Sequence, residues 1–351
     1  MARRRGALWC NLPMVTPAAH RETGPLRSLG ALLDETDAVL RRGGPAGATV
    51  WSTGFPVLDA TLTGGFRSGE LVLLGGPAGH GKTTMGVQFA RNVVAAGGTA
   101  VIFSYEHESH TLLERLIAME SAERTPGEVA GVIEVRRAFE SASGGGSLED
   151  VLSALPGGAR AYAALTSYGD RLHIHESSGA TTTLEEVAAV VTAVTQATGT
   201  APFVLLDYVQ KIPVHHLDET ERVTAAAEGL KDLALQARVP IVAISAADKE
   251  ALVSGHRMRT HDLRGSSALA FEADVVMIVG DKVDIVSREH LVYDLGNIQR
   301  FRGWSVVTME KNRHGQARVE LEFAKDFEHG RFHPEGNAVA ERLIDERVFV
   351  S

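Results

Sequence analysis

A short glycine-rich stretch, GPAGHGKTT at residues 76–84, constrains this chain more than any other part of its sequence. It fits the pattern G-x-x-x-x-G-K-[ST], and it stands between the apolar run ELVLLGG and a segment with helical periodicity. A glycine-rich turn between a buried strand and a helix lets backbone N–H groups point inward, and the helix N-terminus adds a partial positive charge. The stretch therefore predicts a loop that holds phosphate groups.

Each residue type in this loop has a predicted role. Lys82 is expected to reach the β- and γ-phosphates of a nucleotide, and the Thr83 hydroxyl is expected to take a position on Mg²⁺. The predicted cofactors are therefore ATP and Mg²⁺. The candidate nucleotide-binding residues are Gly76, Pro77, Ala78, Gly79, His80, Gly81, Lys82, Thr83 and Thr84.

A loop of this kind also needs a carboxylate that holds Mg²⁺ through water. The run PFVLLDY (202–208) reads as a buried strand with Asp207 at its carboxyl end, where ligands bind in an open parallel sheet. A carboxylate at such a place is costly unless it acts on a cation. Asp207 is therefore the predicted partner of Thr83 at the metal.

Hydrolysis further needs a group that activates water within hydrogen-bond reach. Glu106 ends the strand TAVIFSYE (99–106), at the same rim of the sheet as the loop and Asp207, and is the predicted catalytic base. Two alternatives remain open from the sequence: Glu108 in the following turn could be the base, and Glu106 could cap the next helix.

Strands and helices alternate from residue 50 onward. Helices between successive strands imply crossover connections, so the pattern predicts an α/β fold with a mostly parallel sheet covered on both faces. From residue 304 the period changes to two, which predicts an antiparallel hairpin at the sheet edge. The six expected parallel strands are 70–76, 99–106, 171–177, 202–208, 240–245 and 273–279.

Composition excludes several classes of protein. The net charge of −9 argues against a surface made for duplex DNA, although it leaves room for a narrow basic channel. Cys10 is the single cysteine, which excludes an intrachain disulfide framework and a multi-cysteine zinc ribbon. No apolar run reaches the roughly 18–20 residues of a membrane span, so no membrane partner and a cytoplasmic location are expected. HESH lacks the i,i+4 histidine pair for zinc, and the remaining histidines are expected to be solvated or hydrogen-bonded.

The ends of the chain divide it further. Residues 1–25 are expected to be a disordered tail, and 26–44 contain leucines at spacings of three and four that predict an amphipathic helix. The predicted main domain covers 50–333, and 334–351 is expected to be a C-terminal tail. The apolar stripe of the helix could pack on its own domain or on a neighbouring subunit.

Taken in order, these segments resemble the C-terminal motor domain of the DnaB-type replicative helicases, a RecA-like P-loop NTPase of superfamily 4. The resemblance covers about residues 51–333. It implies a RecA-like fold and an ATP-hydrolysing, helicase-like motor that acts on single-stranded DNA. The matching segments are TGFPVLDATLTGGFRSGELVLLGG, GPAGHGKTT, FSYEHESHTLLER, LHIHESSGATTTLEEV, LLDYVQ, VPIVAIS, DLRGSSALAFEADVVMIV and EKNRHG.

The resemblance also implies roles for single residues. It makes Glu106 the catalytic glutamate, and it places Lys311 and Arg313 of the family's K-x-R-x-G motif in the nucleotide site of the next subunit. This implies a homo-oligomeric ring, expected as a hexamer, in which the helix at 26–44 docks on the adjacent subunit. From the residues alone, EKNRHG could also be a solvated hairpin tip. Arg264, Gly265 and Ser267 are the candidate nucleic-acid-binding residues, and Arg115 matches a recurrent arginine whose role stays open.

Three departures from the family pattern leave other functions open. Only about 25 residues precede the predicted linker helix, so a primase-recruiting collar is not expected. Ala246 in AISAADKE replaces a glutamine expected near the γ-phosphate, and DLRGSS replaces D-L-R-E-S-G. The alternatives are a RecA-like ATPase of the clock-protein or repair kind that acts on protein partners, and a degenerate helicase that binds ATP but hydrolyses it slowly.

Overall fold

The computed structural model describes residues 26–345 except 45, 124–126, 128, 143–144, 215–217, 248–256 and 293–294. It divides into two compact units, Met1–Gly47 and Ala48–Ser351. The predicted tail at 1–25 lies outside the described residues, and so does the end of the tail predicted at 334–351.

The described part of the first unit contains one helix, α1 (Leu29–Arg41), within the range expected to be helical. Ser28 begins it, because its hydroxyl accepts a hydrogen bond from the Ala31 N–H at 3.1 Å. Arg41 in the last turn is favourable at the carboxyl end of the helix dipole. None of the residues of this helix is buried.

The second unit alternates strands and helices along most of its length. Its described strands are β1 (Val50–Trp51), β2 (Phe66–Arg67), β3 (Leu71–Gly75), β4 (Ala100–Ser104), β5 (Leu172–Glu176), β6 (Phe203–Asp207), β7 (Ile241–Ser245), β8 (Val275–Asp281), β9 (Trp304–Asn312), β10 (Val319–Asp326) and β11 (Arg331–Ala338). Its described helices are α2 (Pro56–Thr61), α3 (Lys82–Ala95), α4 (Ser109–Ala122), α5 (Val132–Ser141), α6 (Leu148–Ser153), α7 (Gly158–Tyr168), α8 (Leu184–Thr198), α9 (Glu219–Ala237), α10 (Ser266–Glu272), α11 (Lys282–Ile285), α12 (Glu289–Val292) and α13 (Leu295–Arg302).

The central sheet has the strand order β11-β10-β9-β8-β3-β7-β6-β4-β5 in the described part of the chain. The six strands from β8 to β5 in this order are parallel to their neighbours, and β9, β10 and β11 continue the sheet in antiparallel fashion. The six predicted parallel strands and the antiparallel edge hairpin are therefore confirmed. β1 and β2 form a separate antiparallel pair.

Side chains alternate between the two faces of this sheet, as the period of two in a strand requires. In β3, Val72 and Leu74 point into a core cluster that contains Phe89 of α3. Leu71 and Leu73 belong to the cluster on the opposite face, which contains residues of α8 and α9. Both faces are therefore covered by helices, as the continuous apolar strands predict.

The edge strand β11 was not expected from the sequence. It runs across position 333, where the sequence analysis placed the end of the domain, and Ile344 still donates a backbone hydrogen bond to the Ile285 carbonyl at 2.8 Å. Proline is compatible with position 334 because an edge strand leaves some N–H groups without a strand partner. Among the described residues, no helix has both the length and the apolar character needed to cross a membrane.

Candidate functional site

The glycine-rich loop connects the end of β3 to the start of α3. Gly76 has a φ of 149°, and a Cβ atom there would lie 2.3 Å from the Val279 carbonyl oxygen. Gly81 has a φ of 90°, and a Cβ atom there would lie 2.7 Å from the rings of Phe327 and Phe332. Both positions therefore require glycine, and the tight loop brings backbone N–H groups to the N-terminus of α3.

Lys82 lies across the loop that precedes it. Its Nζ donates hydrogen bonds to the carbonyl oxygens of Gly76 and Pro77, each at 2.8 Å. Burial lowers the pKa of Lys82, while the charges of Asp207 and Glu106 raise it. The ammonium group is thus held against the glycine-rich loop by the two carbonyl oxygens.

Asp207 lies at the carboxyl end of β6 and is buried, with 3% of its surface exposed. Its Oδ2 accepts a hydrogen bond from the Thr83 hydroxyl at 2.7 Å. Burial raises the pKa of Asp207 to about 6 and Glu106 adds to the shift, whereas the Thr83 hydrogen bond and the cations of Lys82 and Arg115 oppose it. A buried carboxylate beside a hydroxyl provides the hard oxygen ligands that Mg²⁺ prefers, so these residues fit the ion.

The strand register explains why these groups meet. Ser104 of β4 is directly opposite Asp207 of β6, and Gly75 of β3 is opposite Ser245 of β7. Because all four strands are parallel, their carboxyl ends lie at the same rim of the sheet. Glu106 follows β4 by two residues and is exposed at this rim.

A cavity of about 650 Å³ unites these groups. Lys82, Thr83, Glu106 and Asp207 line it together. Glu108 is the N-cap residue of α4 without a side-chain cap bond, and it is not among the described lining residues. The geometry therefore favours Glu106 over Glu108, and it does not use Glu106 as the cap of α4.

Two arginines of the same chain lie at this cavity, which the sequence did not predict. Arg115 of α4 and Arg136 of α5 both line it. Burial lowers the pKa of Arg115, and the carboxylate of Asp207 opposes that shift. Arg136 is bound to Glu114 at 2.9 Å. The spacing of Arg115 from Glu106 was the available signal for the first, and nothing local in the sequence pointed to the second.

Apolar side chains also line the cavity. Val132 and Ile133 come from α5, and Phe327 comes from the turn between β10 and β11. Ile133 and Phe327 keep 58% and 38% of their surface exposed. No local motif predicts these side chains at the cavity, because their position depends on how α5 and the end of β10 pack.

Lys311 and Arg313 lie elsewhere. The Lys311 Nζ donates to the carbonyl oxygens of Ala270 (2.8 Å) and Phe271 (3.1 Å) near the C-terminus of α10. The Arg313 guanidinium lies 3.2 Å from the buried carboxylate of Asp274. Neither cation is among the described residues that line the cavity of its own chain.

The predicted nucleic-acid-binding residues surround the start of α10. Gly265 is the N-cap residue with a φ of 80°, and a Cβ atom there would lie 2.4 Å from Val223. The Arg264 N–H donates to the Ala246 carbonyl at 3.1 Å. Ser267 lies in α10, and its side chain is outside the described part of the structure.

The histidines give a mixed outcome. The Nδ1 of His175 lies 2.9 Å from the Ser177 hydroxyl, so this histidine is hydrogen-bonded as expected. His107 lines the cavity, and burial lowers its pKa. His173 departs from the expectation, because its buried Nε2 has no hydrogen-bond partner among the described residues. His215 and His216 lie outside the described residues.

Comparison with known proteins identifies related sequences. The sequence matches the model of the family described as DnaB-like helicase C terminal domain over residues 51–140 and 158–333. It is 24% identical over 321 residues to the replicative DNA helicase DnaB of Haemophilus influenzae, a match that covers 89% of this chain and 61% of that protein. Identity to DnaB of Treponema pallidum is 26% over 232 residues, covering 65% and 47%. The chain thus spans about half to three-fifths of the length of these relatives.

Solved structures agree on the fold. One solved ATPase domain superposes with a TM-score of 0.66 at 18% identity, covering 87% of this chain and 99% of the other. A DnaB-like replicative helicase, studied for its interactions with primase, has the same TM-score and identity over 87% and 68%. At such identity the likeness carries the fold alone, and it confirms the predicted RecA-like class.

Proposed function

The chain belongs to the family of DnaB-like helicase C-terminal domains, and from this premise we propose that it is an ATP-dependent motor of the helicase or translocase type. ATP is its proposed substrate and single-stranded DNA its proposed track. The observation that carries the proposal is the cavity that Lys82, Thr83, Asp207 and Glu106 line together. These are the groups that ATP hydrolysis needs for phosphate binding, metal binding and water activation.

Thr83 and Asp207 are the proposed holders of Mg²⁺. The ion would neutralise charge on the β- and γ-phosphates when it is bound. The raised pKa of Asp207, about 6, supports this assignment, because the buried carboxylate lacks sufficient compensation from its own chain.

Glu106 is the proposed general base. Its exposed carboxylate at the cavity can accept a proton from water as the water attacks the γ-phosphate. Lys82 would leave its two carbonyl partners for the phosphates, since an ion pair with phosphate is a stronger interaction than a hydrogen bond to a neutral carbonyl. Arg115 would add a second cation from the same chain.

Lys311 and Arg313 are proposed to act on the nucleotide of the next subunit. Their absence from the described lining of the cavity in their own chain supports this assignment, because it leaves both cations available to a second copy. Such an arrangement requires an oligomer with the same head-to-tail contact repeated, and a ring is the closed form of such an oligomer. A hexamer is the proposed size.

Three further regions have proposed roles. The helix in 26–44 is proposed as a linker that docks on the adjacent subunit, and 50–333 as the core of the motor domain. Arg264 and Gly265, with Ser267, are proposed to contact the backbone of single-stranded DNA, where binding is largely electrostatic.

A second candidate function is favoured by Ala246. This residue follows β7 and lines the cavity, yet its methyl group cannot hydrogen-bond to a phosphate. A RecA-like ATPase that acts on protein partners without unwinding DNA, or one that hydrolyses ATP slowly, would be consistent with it.

The decisive measurement is ATP turnover with and without single-stranded DNA, beside strand separation on a forked duplex and sizing of the assembly with nucleotide. Stimulation by DNA together with strand separation supports the motor. ATP turnover that single-stranded DNA does not change favours the second candidate. A protein that stays monomeric with every nucleotide would contradict the ring.

A further inference from the structure

Gln210 lies where three segments of the chain meet: its own turn, the end of β7 and the segment of Arg264. It lies in a single 3₁₀ turn, Val209–Lys211, three residues after Asp207. Val209 and Ile212 are buried and fix this turn to the core. Gln210 is not among the described residues that line the cavity, so it does not face a bound nucleotide directly.

The amide group of Gln210 is bonded at both of its ends. Its Nε2 donates to the Ser245 hydroxyl at 2.9 Å and to the Arg264 carbonyl oxygen at 3.1 Å. Its Oε1 accepts a hydrogen bond from the Ala246 N–H at 3.2 Å. One side chain thus joins the end of β7 to the segment that carries Arg264.

Backbone contacts join the same two segments directly. The Arg264 N–H donates to the Ala246 carbonyl at 3.1 Å, and Ala247 forms an antiparallel bridge with Leu263. Ala246 and Ala247 line the nucleotide cavity, whereas Gly265 begins α10. A shift of the cavity wall therefore has a short, hydrogen-bonded route to the start of α10.

We propose that Gln210 is a positioning residue that couples the nucleotide state of the cavity to the segment Arg264–Glu272. The methyl group of Ala246 cannot form a hydrogen bond. The cavity and the Arg264 segment are therefore linked by the backbone of Ala246 and by the Gln210 amide bonded to it. The effect of this coupling on DNA binding rests on the proposed function, in which Arg264 contacts single-stranded DNA.

Hydrogen–deuterium exchange on the full chain tests the coupling without DNA. In the unaltered protein, we expect exchange in residues 257–272 to differ at least about fivefold between Mg²⁺–ATPγS and Mg²⁺–ADP, the lower end of typical coupling. In Gln210→Ala this difference should fall below about twofold. Binding of ATPγS should be largely retained, because Gln210 lies outside the cavity lining.

Two further variants sharpen the test. Gln210→Glu keeps an acceptor for the Ala246 N–H but cannot donate to Ser245 or to the Arg264 carbonyl, so it should also lose the difference. Gln196→Ala removes an exposed glutamine of α8 and should behave like the unaltered protein.

A purely structural role for Gln210 would raise exchange equally in both nucleotide states, and that result would overturn the inference. Equal exchange in residues 257–272 of the unaltered protein with Mg²⁺–ATPγS and with Mg²⁺–ADP would also overturn the inference. Stimulation of ATP turnover by single-stranded DNA is a separate readout, which should be lost in Gln210→Ala with the DNA-free rate kept. If DNA never stimulates turnover, the DNA part of the proposed function fails, while the exchange experiment still decides the coupling.

Discussion

The glycine-rich loop and the β9 hairpin end each carry a lysine that donates to two backbone carbonyls, yet the two lysines differ in what surrounds them. Lys82 binds the carbonyls of Gly76 and Pro77 inside a cavity of about 650 Å³, beside the Thr83–Asp207 pair. Lys311 binds the carbonyls of Ala270 and Phe271 on a surface where Phe271 is 76% exposed.

This difference shows that the contacts of a cation do not by themselves identify its role. Both lysines satisfy carbonyl groups that a helix or loop end leaves unpaired. One chain supplies Lys82 with a carboxylate, a hydroxyl and a cavity, but it supplies Lys311 and Arg313 with a helix end and the carboxylate of Asp274. The groups around Lys82 all come from one chain, whereas Lys311 and Arg313 are proposed to act on the nucleotide of a neighbour.

The largest expected effect concerns Arg313. Arg313→Ala should lower ATP turnover on the order of 10³-fold or more, because an arginine that meets the transferring phosphoryl group stabilises charge in the transition state. ATP binding should be largely retained. Turnover and nucleotide affinity, measured on the same preparation, separate these two effects.

Mixing variants tests whether Arg313 acts on the next subunit. Arg313→Ala subunits keep Lys82, and Lys82→Ala subunits keep Arg313, so some interfaces of a mixed ring contain both groups. Activity of the mixture should therefore exceed that of either variant alone. Absence of any recovery in assembled mixed rings would rule out the trans arrangement.

The next effect is expected at Glu106. Glu106→Gln keeps the shape of the side chain but removes its capacity to accept a proton, so turnover should fall by about 10²- to 10⁴-fold. Nucleotide affinity should change little, and Glu108→Gln is the matched control. Unchanged turnover in Glu106→Gln would exclude Glu106 as the base and favour a protein that uses ATP mainly for binding.

A smaller effect is expected at Arg115, which lines the cavity of its own chain. Arg115→Ala should weaken nucleotide binding or turnover by about 10- to 100-fold, the range of a charge-assisted hydrogen bond. Because Arg115 and Lys82 line the same cavity of one chain, a mixture of Arg115→Ala with Lys82→Ala has no complete site. Recovery in that mixture would place Arg115 with the trans-acting group.

The sequence predicted those parts of the molecule that local chemistry determines. The loop at 76–84, Asp207 at a strand end and the six parallel strands each follow from residue types at short spacings. Glu106 could not be separated from Glu108 by spacing, because the turn after β4 decides which carboxylate reaches the cavity. Arg136 and Phe327 arrive through the packing of α5 and the β10–β11 turn, which involves residues distant in sequence. The proline and polar residues of RFHPEGNA concealed β11, since they resemble a tail unless the strand stands at an edge.

The smallest expected effect separates the two roles of Lys311. Lys311→Met keeps the aliphatic part of the side chain but removes the donor to the carbonyls of α10, so the free energy of unfolding should fall by about 1 kcal/mol. At a slope of about 3 kcal/mol per M, the urea midpoint would fall by about 0.3 M. Arg137→Met, on the exposed face of α5, should leave the midpoint unchanged. Equal urea midpoints for the two variants would show that the contact of Lys311 with α10 contributes nothing to stability. A loss of turnover in Lys311→Met would then be attributed to the nucleotide site of the neighbouring subunit.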